Sequence, residues 1–156
     1  WSSRGSKTRI TQLLMNYAEV NSEDALIEGL AMGNIHLSPT LAENIIQLAT
    51  EGDAEAKKAV DFNARELAVN VNAVVRQLNF QAINFEIVMI GSVFNSGEIY
   101  IKPFMDTILE FAPKANFVRL TAPPVVGSIL IGAEILNVKT KEFKTTLVDS
   151  VKKIYS

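Results

Sequence analysis

The residues best suited to meet a ligand in this sequence are small and hydroxyl-bearing. Gly91-Ser92-Val93-Phe94-Asn95-Ser96-Gly97 follows directly on a β-rich apolar run, Phe85-Glu86-Ile87-Val88-Met89-Ile90. Open parallel sheets bind ligands at the carboxyl ends of their strands, in loops of this kind. Gly91 would let another group approach the backbone closely, and Ser92 and Ser96 offer hydroxyls. The pattern recurs after a second short run, Phe117-Val118-Arg119-Leu120, where Pro123-Pro124-Val125-Val126-Gly127-Ser128 opens an apolar helix. Two such loops at one sheet edge would face one ligand. The plain alternatives are an ordinary turn at 91–97 and tight helix–strand packing at Gly127.

Other chemistry is excluded or weak. Gly5-Ser6-Lys7-Thr8 has the ending of a phosphate loop but only one residue between glycine and lysine, and nothing strand-like before it. It reads as the start of a helix. Cysteine is absent, which removes disulfides, thiolate metal sites and a cysteine nucleophile from these residues. The single histidine, His36, reads as a surface or capping residue, and Met15, Met32, Met89 and Met105 as core filler. Fifteen basic against 17 acidic side chains give a net charge of −2 without a basic stripe, so phosphate neutralisation of a nucleic acid is not expected. No window reaches the roughly 18–20 apolar residues of a membrane span. The first residues lack the apolar core of a signal peptide, and a cytoplasmic location is expected. With 156 residues, 48% hydrophobic and 21% charged, the composition is that of one globular domain. Opening on Trp1 rather than methionine, the sequence reads as a piece of something longer.

The elements that must hold these loops can be read from periodicity. Ile10, Leu13, Leu14 and Tyr17 recur at helical spacing, and Asn21 or Ser22 can cap a second helix with Glu23 and Asp24 in its first turn. Gly33-Asn34 stops that helix, and Ser38-Pro39 starts a third, which ends at Glu51-Gly52-Asp53. Asp53 caps the longest helix, about residues 54–79, whose apolar stripe is Ala56, Ala59, Val60, Leu67, Val71, Val74, Val75 and Leu78. Lys57, Lys58, Arg65, Glu66, Asn70 and Asn72 should lie mostly on its solvent side. The period then changes. Residues 85–90 read as a buried strand, 101–111 as an amphipathic helix and 117–120 as a second strand. Thr121-Ala122-Pro123-Pro124 must be irregular. Residues 125–137 form a helix apolar almost all round, expected to be buried, and about 141–154 a final amphipathic helix. Strand, helix, strand in this order implies a right-handed parallel crossover. Parallel sheets need cover on both faces and usually more members, so either strands missing upstream complete this sheet or it carries an exposed edge.

These pieces in this order resemble a known family. Ile87-Val88-Met89-Ile90-Gly91-Ser92-Val93-Phe94-Asn95-Ser96-Gly97, the helix through Lys102-Pro103-Phe104, and Val125-Val126-Gly127-Ser128 with Gly132-Ala133 look like the carboxyl-terminal half of N-acetylglucosamine kinases. These belong to the BadF/BadG-type ATPase family within the actin-like sugar-kinase superfamily. Arg4-Gly5-Ser6-Lys7-Thr8 resembles the family's segment leading into its helical region, and Leu41-Ala42 through Leu48-Ala49 to Gly52-Asp53 also fits. The resemblance implies an α/β, mostly helical fold: part of a ribonuclease-H-like, actin-like ATPase domain with a short parallel strand pair and a helical subdomain. Residues 1–156 would be the carboxyl-terminal part of such a domain. About 6–80 would be the helical subdomain with the long core helix, 84–137 the nucleotide-side strand–helix unit, and 140–155 the terminal helix.

The resemblance further implies that Gly91, Ser92, Ser96 and Gly97 border the adenosine of ATP. It places Ala42 near the adenine and Gly127 and Ser128 in the same cleft. The catalytic aspartate, the phosphate loops and the sugar contacts of such kinases would lie upstream of Trp1, in a missing amino-terminal half that also holds most of the Mg2+ coordination. The expected function is the adenosine-side half of an ATP-dependent kinase for N-acetylglucosamine or a related sugar, a homodimer being compatible with it. This chain alone is expected to phosphorylate nothing, since no acidic residue sits in a plausible catalytic motif. One alternative is a family ATPase that drives a partner protein. That branch holds an iron–sulfur cluster on cysteines, and their absence here favours the sugar kinases. The other alternative is a helical interaction module that binds no nucleotide.

Overall fold

The computed structural model describes residues 6–120, 123, 125–138 and 141–155. Among them are seven α-helices: α1 (Arg9–Tyr17), α2 (Glu23–Ala31), α3 (Leu41–Thr50), α4 (Ala54–Gln77), α5 (Glu98–Phe111), α6 (Val125–Ile135) and α7 (Lys141–Tyr155). Two strands, β1 (Phe85–Met89) and β2 (Ala115–Arg119), pair in parallel, and α5 connects them. A short 3-10 helix, Ser92–Asn95, lies within the glycine-bounded loop. The chain is therefore mostly helical with a small parallel sheet. Arg4, Gly5, Thr121, Ala122, Pro124 and Thr140, each part of a segment read above, lie outside the described residues.

The chain divides into two compact units. One comprises Trp1–Ile87 with Gly91–Phe117, the other Val88–Ile90 with Val118–Ser156. In the first unit, local capping sets the helix starts. Ser22 accepts from the Ala25 amide at 3.2 Å, and Asp53 Oδ1 accepts from the Ala56 amide at 2.9 Å. The Asp53 carboxylate also receives the Thr8 hydroxyl and the Arg9 amide, each at 2.8 Å. Thr8 in turn caps α1 by accepting from the Ile10 amide at 3.1 Å. One carboxylate thus caps the starts of two helices whose first residues are 45 positions apart, and Arg9 Nη1 adds an ion pair to Glu51 at 2.7 Å. The Lys7–Thr8 segment is a helix start, as its spacing predicts.

The core of this unit is the packing of α5 on α4. The buried ridge of α4 is Ala56, Val60, Ala64, Ala68, Asn72 and Val75, which corrects the expected stripe. Ala59, Val74 and Leu78 are exposed, while Ala64, Ala68 and Asn72 are buried. The reason is steric. Small residues four apart let a neighbouring helix come close, and α5 answers with a ridge of large residues at the same spacing, Tyr100, Phe104 and Ile108. Phe104 and Ile108 are the largest fully buried side chains. Asn72, expected on the solvent side, spends its Nδ2 on the Thr107 carbonyl of α5 at 3.0 Å. Its Oδ1 is buried without a partner. Arg76 stacks over the Phe111 ring at 4.8 Å, closing the far end of the pair.

Three further expectations on burial are corrected. The strands are half-buried: Phe85, Ile87 and Met89 alternate with exposed Glu86, Val88 and Ile90, and exposed Val118 follows Phe117 on β2. In the second unit, the Leu120 amide donates to the Met89 carbonyl at 3.2 Å. There α6 buries only Val126 and Ala133, whereas Ile131 and Ile135 are 64% and 76% exposed, and Leu136 just after the helix is 75% exposed. An evenly apolar helix needs cover all round, and its helical neighbour in the unit, α7, can cover one side. Met32, read as core filler, is also exposed.

Candidate functional site: a cleft beside the glycine-bounded loop

The first unit contains two adjoining hollows between α3, α4 and the loop that follows β1. The first, about 240 Å3, is mostly apolar and lined by Ala42, Ile45, Ile46, Ala59, Val60, Asn63, Val93 and Tyr100. The second, about 310 Å3, is polar and lined by Glu43, Ile46, Gln47, Ser92, Asn95 and Ser96. Ile46 belongs to both walls. Helical periodicity accounts for the α3 side, since Ala42 with Ile46 and Glu43 with Gln47 are each four residues apart and share one face.

The loop is held by an aromatic anchor. Phe94, buried within the 3-10 turn, meets Tyr100 edge-on at 6.3 Å and Phe104 at 5.3 Å, and Phe104 meets Phe117 at 6.1 Å. Its neighbours Ser92, Val93, Asn95 and Ser96 are thereby presented to the cleft. Both loop ends need glycine. Gly91 has φ 118° and ψ 159°, and Gly97 has φ 76° and ψ −168°. These values fall in a region that is essentially glycine-only. A Cβ at either position would meet nothing within 4 Å, so the requirement is torsional and not steric.

At the floor of the apolar hollow, the buried Tyr100 hydroxyl donates to Asn63 Oδ1 at 2.9 Å. Burial pushes the Tyr100 pKa above its ordinary value, so the phenol is neutral at neutral pH. The polar hollow offers the Ser92 and Ser96 hydroxyls, the Gln47 and Asn95 amides and the Glu43 carboxylate, and the other hollow offers a mainly apolar wall. Neither lining includes a lysine or an arginine. A third hollow of about 570 Å3 lies between the starts of α1 and α2, and it brings Lys7 and Glu23 to one mixed polar surface.

The structure brings Ala42, Ser92 and Ser96 to this cleft, with Gly91 and Gly97 at the ends of the loop that lines it. Gly127 and Ser128 lie on α6 in the other unit, both exposed, and a Cβ on Gly127 would meet nothing within 4 Å. Close packing therefore does not explain that glycine. His36 is exposed and contributes its backbone carbonyl to the Tyr17 hydroxyl at 3.2 Å. Glu43, Gln47, Asn63 and Tyr100 were not legible as site residues, because their neighbours in the cleft are contributed from distant parts of the chain. The one available sign was that Glu43 and Gln47 share a helix face with Ala42 and Ile46. Among the described residues, no group of three or more His, Asp or Glu could hold a metal ion, and no helix is long and apolar enough to cross a membrane. No protein-family model, curated protein or solved structure matches the chain.

Proposed function

We propose that this cleft binds the adenosine of ATP, and that the chain is the adenosine-side part of an ATP-dependent kinase for N-acetylglucosamine or a related sugar. The observation that carries the reading is the pairing of an apolar hollow with a polar one across Ile46, beside a loop whose two ends only glycine can form. Adenine is flat and largely apolar on its faces, and Ala42, Ile45, Ile46 and Val93 would sandwich it. Ribose hydroxyls would meet Glu43, Gln47, Ser92 and Ser96. Phosphate charge must be neutralised by groups outside these linings, in keeping with the phosphate loops and Mg2+ ligands that the family resemblance puts in a separate half. The kinase assignment itself, as distinct from nucleotide binding, rests on that resemblance.

The same proposal accounts for the exposed Val88, Ile90 and Val118, and for the bare side of α6. Parallel sheets occur with both faces covered, and the rest of a ribonuclease-H-like domain would supply the cover. In such an enzyme this part contributes positioning, which is most of what phosphoryl transfer asks of a protein.

Backbone amide spectra recorded during titration with ATP, adenosine and ribose 5-phosphate test the site. At millimolar ligand, ATP and adenosine should shift the amides of 42–47 and 91–97, and ribose 5-phosphate should do so more weakly. Absence of shifts with ATP and adenosine, or shifts confined to other residues, overturns the assignment. Sugar-dependent ADP release by the chain joined to its proposed amino-terminal half then separates the kinase from an ATPase that drives a partner.

A further inference from the structure

We infer that Asn63 reads the purine ring in this cleft and that Tyr100 fixes which end of its amide does so; the inference rests on the adenosine reading above. A buried phenol must find an acceptor for its O–H, and the acceptor of the Tyr100 hydroxyl is Asn63 Oδ1 at 2.9 Å. That bond commits the carbonyl end of the amide to the protein. It leaves Nδ2, a donor only, as the polar group that Asn63 adds to an otherwise apolar lining. Adenine offers ring nitrogens N1, N3 and N7, all acceptors, so a fixed N–H donor in an apolar hollow selects a purine through one of them. In hypoxanthine and guanine N1 carries a hydrogen. A donor aimed at that edge would therefore disfavour both, because it would face an N–H in place of an acceptor.

Tyr100 sets the sign of this contact without touching the base. It is held in the core by Phe94 on one side and by its place in the buried ridge of α5 on the other. The amide of Asn63 is therefore tied to the rigid α4–α5 pair, while the side chain that would touch ligand stays accessible at the cleft. Tyr100 is a positioning residue and Asn63 a specificity-determining one.

The experiment is an affinity series with adenosine, its 1-deaza, 3-deaza and 7-deaza analogues, and inosine, measured on the wild type and on Asn63→Asp, Asn63→Ala and Tyr100→Phe. Asn63→Asp keeps an acceptor for the tyrosine hydroxyl and removes the donor alone. One deaza analogue should bind the wild type on the order of tenfold more weakly than adenosine, the scale of one neutral hydrogen bond. Asn63→Ala should bind adenosine as weakly as the wild type binds that analogue and should no longer distinguish the two. Asn63→Asp should be weaker still, its carboxylate facing a ring nitrogen lone pair. Tyr100→Phe frees the amide to turn, so it should keep most adenosine affinity while the deaza penalty shrinks. Asn63→Ala and Asn63→Asp that retain the full deaza penalty overturn the inference and leave the adenosine site standing. A wild type that binds no adenosine removes both. Thermal melting of each variant reports the fold, and Tyr100→Phe tests the idea independently should an Asn63 variant melt early.

Discussion

Replacing Gly91 by alanine isolates a purely torsional cost. The residue sits at φ 118° and ψ 159°, and a Cβ there would touch nothing within 4 Å. Clash and lost packing are thus absent, and what remains is holding an L-residue in a region essentially reserved for glycine. That cost is about 1–3 kcal/mol. For a chain of this size a loss of 1 kcal/mol lowers Tm by about 2–4 °C, so Gly91→Ala should melt roughly 2–12 °C below wild type. Incorporating D-alanine at the same position by ligation should restore most of the loss, because the mirror-image torsions are ordinary extended backbone for a D-residue. Urea denaturation and differential scanning calorimetry measure the loss, and amide spectra show whether Ser92 and Ser96 have moved. An L-alanine variant with unchanged stability and unchanged amide shifts at 91–97 would refute the claim that this loop is held in a glycine-only conformation. Gly91→Val carries the argument to the ligand. It should raise the Kd for ATP, and unchanged ATP binding in a stably folded Gly91→Val protein would remove the loop from the site.

Four other outcomes are expected. Gly127→Ala should do the opposite of Gly91→Ala, raising stability by up to about 1 kcal/mol, since Gly127 lies within α6 with open space at its Cβ; a lower Tm would show a constraint on that glycine. Phe104→Ala should cost about 3–5 kcal/mol and Ile108→Val about 0.5–1.5 kcal/mol by denaturant titration, as both side chains are fully buried in the α4–α5 seam. Asn72→Asp should cost about 1–3 kcal/mol or more, read by denaturant titration, because it buries a carboxylate against the Thr107 carbonyl. The Asp53 carboxyl is held down at about 2 by the Ala56 amide first, then the Arg9 amide and the Thr8 hydroxyl. Its folded pKa lies below its unfolded one, so its contribution is complete above pH 4 and fades as pH falls from about 4 towards 2. Asp53→Asn should melt lower than wild type at pH 7, and the gap should narrow across that window; a constant gap would contradict the linkage.

The amino-acid order alone determined several of the element boundaries of this protein. Ser22 and Asp53 cap the helices they precede, the change from helical spacing to a β-rich apolar run at residue 85 marks β1, and Gly91 and Gly97 bound the loop. Each of these follows from neighbours within about four residues, where capping hydrogen bonds and glycine torsions are decided locally. Tertiary structure decided the rest. It chose Ala64, Ala68 and Asn72 over Leu67, Val74 and Leu78 for the deepest ridge of α4, because helices approach most closely over small side chains. It joined Thr8 and Arg9 to Asp53, and Ala42 to Ser92 across Ile46, between segments more than 40 residues apart. It also left Ile131 and Ile135 exposed on a helix whose composition asks for complete burial. Hydrophobicity states how much surface a helix should bury. Which surface is buried depends on the elements folded against it, and those are not written within one helical turn.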